Sequence, residues 1–166
     1  MATDWNAQRI KEDETAEALQ LMCDELRQNY HNLQPYQEYY QRALYLLDSL
    51  EAIGEFEQLF EHREFQGINP PIVYTFAYEM AKNSSKLANI EHEKAKVVFR
   101  NYLHLEELLR TIEQTQQQLL VSDIEGPDSW NMVLNFYRES IELFYRSYAQ
   151  LQKDDICPLL SASAGQ

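Results

Sequence analysis

Glutamate and histidine are the residue types that could build a metal site in this chain, which contains 27 acidic residues and 4 histidines. A di-iron site in a helical bundle uses Glu-x-x-His, because residues three apart place a carboxylate and an imidazole on one inward face. The positions three before the histidines hold Gln28, Leu59, Asn89 and Asn101, none of which is acidic. This motif is therefore absent, and we expect no metal site.

The two cysteines, Cys23 and Cys157, are the other candidates for ligands or nucleophiles. Zinc sites need closely spaced ligand pairs, and these thiols lie at opposite ends of the chain. Cys23 falls on an apolar helical stripe and is interpreted as a small core residue. Cys157 lies before a proline in a tail that is too loosely held for catalysis. So few cysteines argue against a disulfide framework and favour a reducing, intracellular compartment, either cytoplasmic or nuclear.

Glycine-rich catalytic motifs are also missing. The four glycines form no phosphate loop, dinucleotide fingerprint or nucleophile elbow. We therefore predict a protein without enzymatic activity, catalytic residues or cofactor. The net charge of −13 argues against direct binding of nucleic acid or of an anionic membrane, because both need basic patches.

The elements that would position any functional residue are helices. Only 4 glycines and 5 prolines are present, too few for the frequent turns of an all-β domain. Apolar residues recur in steps of 3 and 4, which is the spacing of a helix face. The clearest stripe is Trp130, Leu134, Tyr137, Ile141, Phe144, Tyr148 and Leu151. We predict an all-α antiparallel bundle of about four helices, a single domain over residues 1–155, followed by a flexible tail, residues 156–166.

The first two helical segments meet at Gln34 and Pro35. A residue before proline is biased away from the helical region, and proline fits the first turn of a new helix. The junction is therefore either a tight turn or a kink. We favour the turn, because a small bundle needs chain reversals.

The third segment, from about Pro71 to Val121, contains no internal proline or glycine. As one helix it would measure roughly 75 Å, against about 40–45 Å for its neighbours. This unusually long third helix either overhangs its neighbours or breaks near residues 82–86. Asn83, Ser84 and Ser85 are mediocre helix formers there, but polar residues can also set register inside a continuous coiled coil. We expect the continuous helix.

The start of that segment is the predicted binding surface. Pro71 should be the first helical residue, with Val73, Phe76 and Met80 toward the core. Tyr74 and Tyr78, four apart, then form a second ridge of the amphipathic aromatic kind that anchors protein interfaces. The predicted partner-binding residues here are Ile72, Val73, Tyr74 and Tyr78. A second predicted binding region, farther along the same helix, contains Leu103 and Leu108.

These features favour a protein-interaction module, an adaptor or a subunit of a larger assembly that binds through exposed helix faces. The expected partner is a protein, with a basic surface as one option, or a second copy of the chain. One alternative is an acidic inhibitor or chaperone-like protein whose carboxylates mimic nucleic acid for a basic partner. A further alternative is a small-ligand binder with an aromatic pocket between helices.

Overall fold

The computed structural model describes residues 2–55, 58, 71–84, 86–120 and 126–157. Their α helices are α1 (Ala2–Ala52), α2 (Phe76–Asn83), α3 (His92–Leu120) and α4 (Pro127–Lys153). A short 3₁₀ helix, Lys86–Asn89, lies between α2 and α3, and no strand occurs in these parts of the chain. The predicted all-α helical bundle of about four helices is confirmed. No helix in the described ranges is long and apolar enough to cross a membrane.

Helix α1 is the longest helix and continues through Pro35, so the predicted tight turn at Gln34 is wrong. A proline inside a helix costs about 3 kcal/mol. On both sides of Pro35, apolar residues at seven-residue intervals are fully buried: Leu26, Leu33, Tyr40 and Leu47. Their packing outweighs the local cost of the proline. The helix ends where Gly54 takes a φ of 74°, which lets Glu55 N–H bond the carbonyl of Leu50 over 2.9 Å.

The predicted continuous third helix is wrong, and the alternative of a break near residues 82–86 matches the structure. Helix α2 starts at Phe76 rather than Pro71 and ends at Asn83. The hydroxyl of Ser84 donates a hydrogen bond to the carbonyl of Ala81 over 3.2 Å, a local bond that competes with continuation of the helix. Ser85 and Val121, which belong to the predicted long helix, lie outside the described residues.

Contacts group the chain into two compact units, whose long helices α1, α3 and α4 each contribute residues to both. Unit 1 comprises residues 1–30, 74–103 and 145–166, and unit 2 comprises residues 31–73 and 104–144. The single domain over residues 1–155 stays a prediction.

The core of unit 1 contains a disulfide between Cys23 and Cys157, whose Cα atoms are 5.4 Å apart. Asp155 has a left-handed φ of 53°, and Ile156 N–H bonds the carbonyl of Leu151 over 3.1 Å, which turns the chain back after α4. Ile156 and Cys157 are consequently buried. Cys157 is thus held in the core and disulfide-bonded, contrary to the expected loose position and absence of a disulfide, and residues 156 and 157 are not part of a flexible tail. Residues 158–166 lie outside the described residues.

The core of unit 2 is built from leucine and tyrosine side chains of all three long helices. Tyr40 of α1 stacks on Tyr137 of α4 with ring centroids 5.2 Å apart, and Leu105 and Leu108 of α3 are fully buried. All seven residues of the predicted α4 stripe are buried in their respective units. The stripe predicted from the 3-and-4 spacing is thus confirmed as the core face of α4.

Candidate protein-binding surfaces

Asn29 of α1 fixes the backbone that leads into α2. Its side-chain Nδ2 donates to the carbonyl of Tyr74 over 2.7 Å, and its Oδ1 accepts the N–H of Tyr74 over 2.8 Å. Asn29 is fully buried. One amide therefore satisfies both backbone groups of a residue that lies outside any helix, which holds this segment against α1.

Glu25, one helical turn before Asn29, holds the beginning of α2. Its Oε2 accepts the N–H of Ala77 over 2.8 Å, while the N-cap residue Thr75 makes no side-chain capping bond. A carboxylate at this position is also stabilised by the positive end of the helix dipole. The hydroxyl of Tyr102 on α3 donates to Oε1 of Glu25 over 2.8 Å. Burial, and then the charge of Glu25, raise the pKa of Tyr102 far above its ordinary value, so the phenol stays a donor.

Apolar side chains project from this fixed backbone into solvent. Phe76 is 71% exposed and Met80 53% exposed, and Tyr74 is exposed as well. Met80 also lines a groove of about 480 Å³ between α1 and α2, opposite the exposed Leu21. We call Leu21, Tyr74, Phe76 and Met80 the 74–80 surface.

The predicted partner-binding residues divide between surface and core. Ile72, Tyr74 and Leu103 are exposed and Val73 is half-buried. Tyr78 and Leu108 are buried and cannot contact a partner. Tyr78 belongs to the core of unit 1, because its ring stacks on Tyr102 with centroids 4.4 Å apart.

The predicted orientation of α2 is therefore reversed. Phe76 and Met80 were expected in the core and are exposed, whereas Tyr78 was expected on the surface and is buried. Helix α2 begins at Phe76, and the hydrogen bonds that Asn29 and Glu25 make with Tyr74 and Ala77 determine which side of this short helix faces α1. No local pattern could have shown this.

A second surface lies on the outward side of α4 within unit 2. Five exposed residues follow at spacings of 4, 4, 3 and 4, and we call them the α4 outer stripe: Asp128, Met132, Phe136, Glu139 and Leu143. Met132 and Phe136 also line a shallow groove of about 200 Å³ whose opposite wall is Thr111, Gln114 and Thr115 of α3. The sequence prediction missed this stripe, although counting a second period beside the core face of α4 would have found it.

Charge is distributed unequally between the two units. The sequence of unit 2 carries fifteen acidic and four basic residues, which gives −11 of the total −13. Unit 1 carries twelve acidic and ten basic residues, which gives −2. The α4 outer stripe therefore lies on the acidic unit, and the 74–80 surface lies on a nearly neutral one.

Among the described residues, the titratable groups with clearly shifted pKa values are buried or half-buried tyrosines. Burial raises the pKa of Tyr40 far above its ordinary value, and the neighbouring phenols Tyr137, Tyr36 and Tyr39 raise it further. A phenol this basic is neutral near pH 7. Among the described residues, no group of three or more His, Cys, Asp or Glu side chains could hold a metal ion.

Comparisons with protein-family models, with curated proteins and with solved structures found no match for the chain. The geometry and charge of the two surfaces are therefore the basis on which a function can be argued.

Proposed function

We propose that this chain is a non-enzymatic protein-interaction module, an adaptor or a subunit of a larger assembly. The observation that carries the proposal is the 74–80 surface, where large apolar side chains are exposed on a backbone held by Glu25 and Asn29. Aromatic and methionine side chains are enriched at protein interfaces. A backbone already fixed in place also lowers the entropy cost of binding.

The proposed occupant of the 74–80 surface is an apolar helix face of a partner protein. A groove between two helices, here α1 and α2, suits the helix-in-groove mode of recognition. The nearly neutral charge of unit 1 means that apolar contact, rather than charge, would supply the affinity at this surface.

The test is partner capture with matched surface variants. Phe76→Ser combined with Met80→Ser should abolish capture of the partner that the wild-type chain retains. Tyr45→Ser, which changes another exposed aromatic residue in unit 2, should leave capture intact. Circular dichroism and the melting temperature should agree among the three proteins. Equal capture by the Phe76/Met80 variant and the wild type would refute the proposal. If light scattering shows that the wild type forms concentration-dependent dimers and the Phe76/Met80 variant does not, the partner is a second copy of the chain.

The acidic inhibitor or nucleic-acid mimic is the second candidate, and the excess of carboxylates in unit 2 favours it. Such a protein would bind a basic partner through charge alone, so binding would weaken with salt and be indifferent to apolar substitutions. The small-ligand alternative has no comparable support. Its expected aromatic space is occupied by stacked ring pairs, Tyr40 with Tyr137 and Tyr78 with Tyr102.

The disulfide changes the expected compartment. The prediction of a cytoplasmic or nuclear location depended on reduced cysteines, and Cys23 is bonded to Cys157 in the structure. Disulfides persist in oxidising environments and are rare in the cytosol and nucleus. We therefore propose that the chain folds and acts where thiols are oxidised.

A further inference from the structure

We infer that unit 2 binds a basic amphipathic helix of a partner protein along the α4 outer stripe. This inference rests on the proposed interaction function and assigns a second surface with a different partner chemistry. The apolar ridge of the partner helix would pack on Met132, Phe136 and Leu143, and its lysine and arginine side chains would face the carboxylates of the unit.

The spacing of the stripe provides the first argument. Steps of 4, 4, 3 and 4 keep all five side chains on one side of α4, so Met132, Phe136 and Leu143 form a single exposed ridge. Met132 is 66% exposed and Phe136 is 47% exposed. Asp128 and Glu139 occupy the same ridge, which places carboxylates between and beside the apolar contacts.

The groove next to the ridge provides the second argument. Its α4 wall contains Met132, Val133 and Phe136, and its α3 wall contains two threonines and a glutamine, Thr111, Gln114 and Thr115. A volume of about 200 Å³ accommodates an individual side chain of a partner helix rather than a whole ligand. Methionine adapts its shape to such a side chain because it is unbranched.

Charge complementarity identifies the partner. The described residues of unit 2 include ten acidic side chains and three basic ones. Two of those three already face carboxylates of their own helices, Arg110 with Glu107 at 3.6 Å and Arg138 with Glu142 at 3.9 Å. An acidic or anionic occupant would therefore be repelled, whereas lysine and arginine of a partner would be attracted.

The probe is a synthetic helical peptide of leucine and lysine in which leucines recur in steps of 3 and 4. Two matched peptides serve as controls: one replaces leucine by serine at constant charge, and the other replaces lysine by glutamate. Calorimetric titration should show binding of the leucine–lysine peptide that weakens as salt increases. The serine–lysine peptide should bind at least about tenfold more weakly, and the leucine–glutamate peptide should not bind.

Variants of the chain locate the binding. Met132→Ser with Phe136→Ser should weaken binding of the leucine–lysine peptide at least about tenfold, and Glu139→Gln should reduce its salt dependence. Tyr45→Ser, which changes an exposed aromatic residue of unit 2 outside both surfaces, is the matched control and should leave this affinity unchanged.

Two results would overturn the inference: equal binding of the serine–lysine peptide, which shows attraction by charge alone, and an unchanged affinity of the Met132/Phe136 variant. Partner capture that still depends on Phe76 and Met80 would then show that the proposed function stands without it. If peptide binding does not depend on Met132 and Phe136, and partner capture does not depend on Phe76 and Met80, both proposals are refuted.

Discussion

The hydroxyl of Tyr102 donates a hydrogen bond to the carboxylate of Glu25 over 2.8 Å, and the same carboxylate accepts the N–H of Ala77. Within unit 1 this one side chain therefore joins α1, α2 and α3. Hydrogen bonds to a charged acceptor are stronger than neutral ones, and this half-buried carboxylate loses one of its donors when the phenol is removed. The orientation of α2, and with it the 74–80 surface, depends on this contact.

Removing the Tyr102 hydroxyl should destabilise the protein, whereas removing the Tyr40 hydroxyl should not. Tyr102→Phe should lower the free energy of unfolding by about 1.5–3 kcal/mol, because a charge-assisted hydrogen bond is lost. Tyr40→Phe is the matched control, since its buried hydroxyl has no partner among the described residues. It should leave stability unchanged or raise it by about 1 kcal/mol. Urea denaturation measures both, and equal losses would contradict the assigned role of Glu25.

Stability should decrease in alkaline solution. Burial raises the pKa of Tyr40 and Tyr102 above the ordinary value of 10.0, so the folded state keeps these protons after the unfolded state has released them. Stability is unaffected while both states are protonated below pH 10, and it falls as pH rises above that value. The expected slope is about 1.4 kcal/mol per pH unit for each such tyrosine.

Urea midpoints recorded from pH 8 to pH 11.5 would measure this slope, with tyrosinate absorbance reporting ionisation. Tyr40→Phe should make the slope shallower, because one buried phenol is removed. A midpoint that stays constant across this range would contradict the burial of these hydroxyls.

Breaking the disulfide should destabilise the fold. Cys23 and Cys157 are separated by 134 positions, so the bond closes a long loop in the unfolded chain. Cys23→Ser with Cys157→Ser should lower the free energy of unfolding by about 2–5 kcal/mol. Reductant should lower the urea midpoint of the wild type and have no effect on the double variant. An unchanged wild-type midpoint, with both thiols shown to be reduced, would argue against a stabilising role.

Asn29 should control the order of the segment before α2. Asn29→Ala leaves the N–H and carbonyl of Tyr74 without their buried partner, so stability should fall by about 2–3 kcal/mol. Hydrogen exchange at the Tyr74 amide should accelerate at the same time. Asn32→Ala is the control, since Asn32 reaches the carbonyl of Ile72 over a longer distance of 3.5 Å. Unchanged exchange at Tyr74 would show that Asn29 does not hold this segment.

Helix type and the main core faces could be predicted from the sequence because they depend on local periodicity. The stripe from Trp130 to Leu151 is buried as predicted, and the polar cluster at Asn83 and Ser84 marks the end of α2. The binding surface could be predicted only in part. Tyr74 and Leu103 are exposed as predicted. Phe76 and Met80, predicted in the core, are exposed, and Tyr78 and Leu108, predicted on the surface, are buried.

Contacts between residues far apart in the sequence decided the features that local periodicity does not show. Asn29 and Glu25 orient α2 through hydrogen bonds to residues 45 or more positions away, and the turn at Asp155 brings Cys157 to Cys23. Packing around Leu33 and Tyr40 keeps α1 helical at Pro35 despite its local preference. The sequence by itself determined that the fold is helical, which face of α4 enters the core and how the total charge is composed. Only the tertiary structure decided which apolar and acidic side chains share an exposed face, because long-range contacts override propensities of a few kcal/mol.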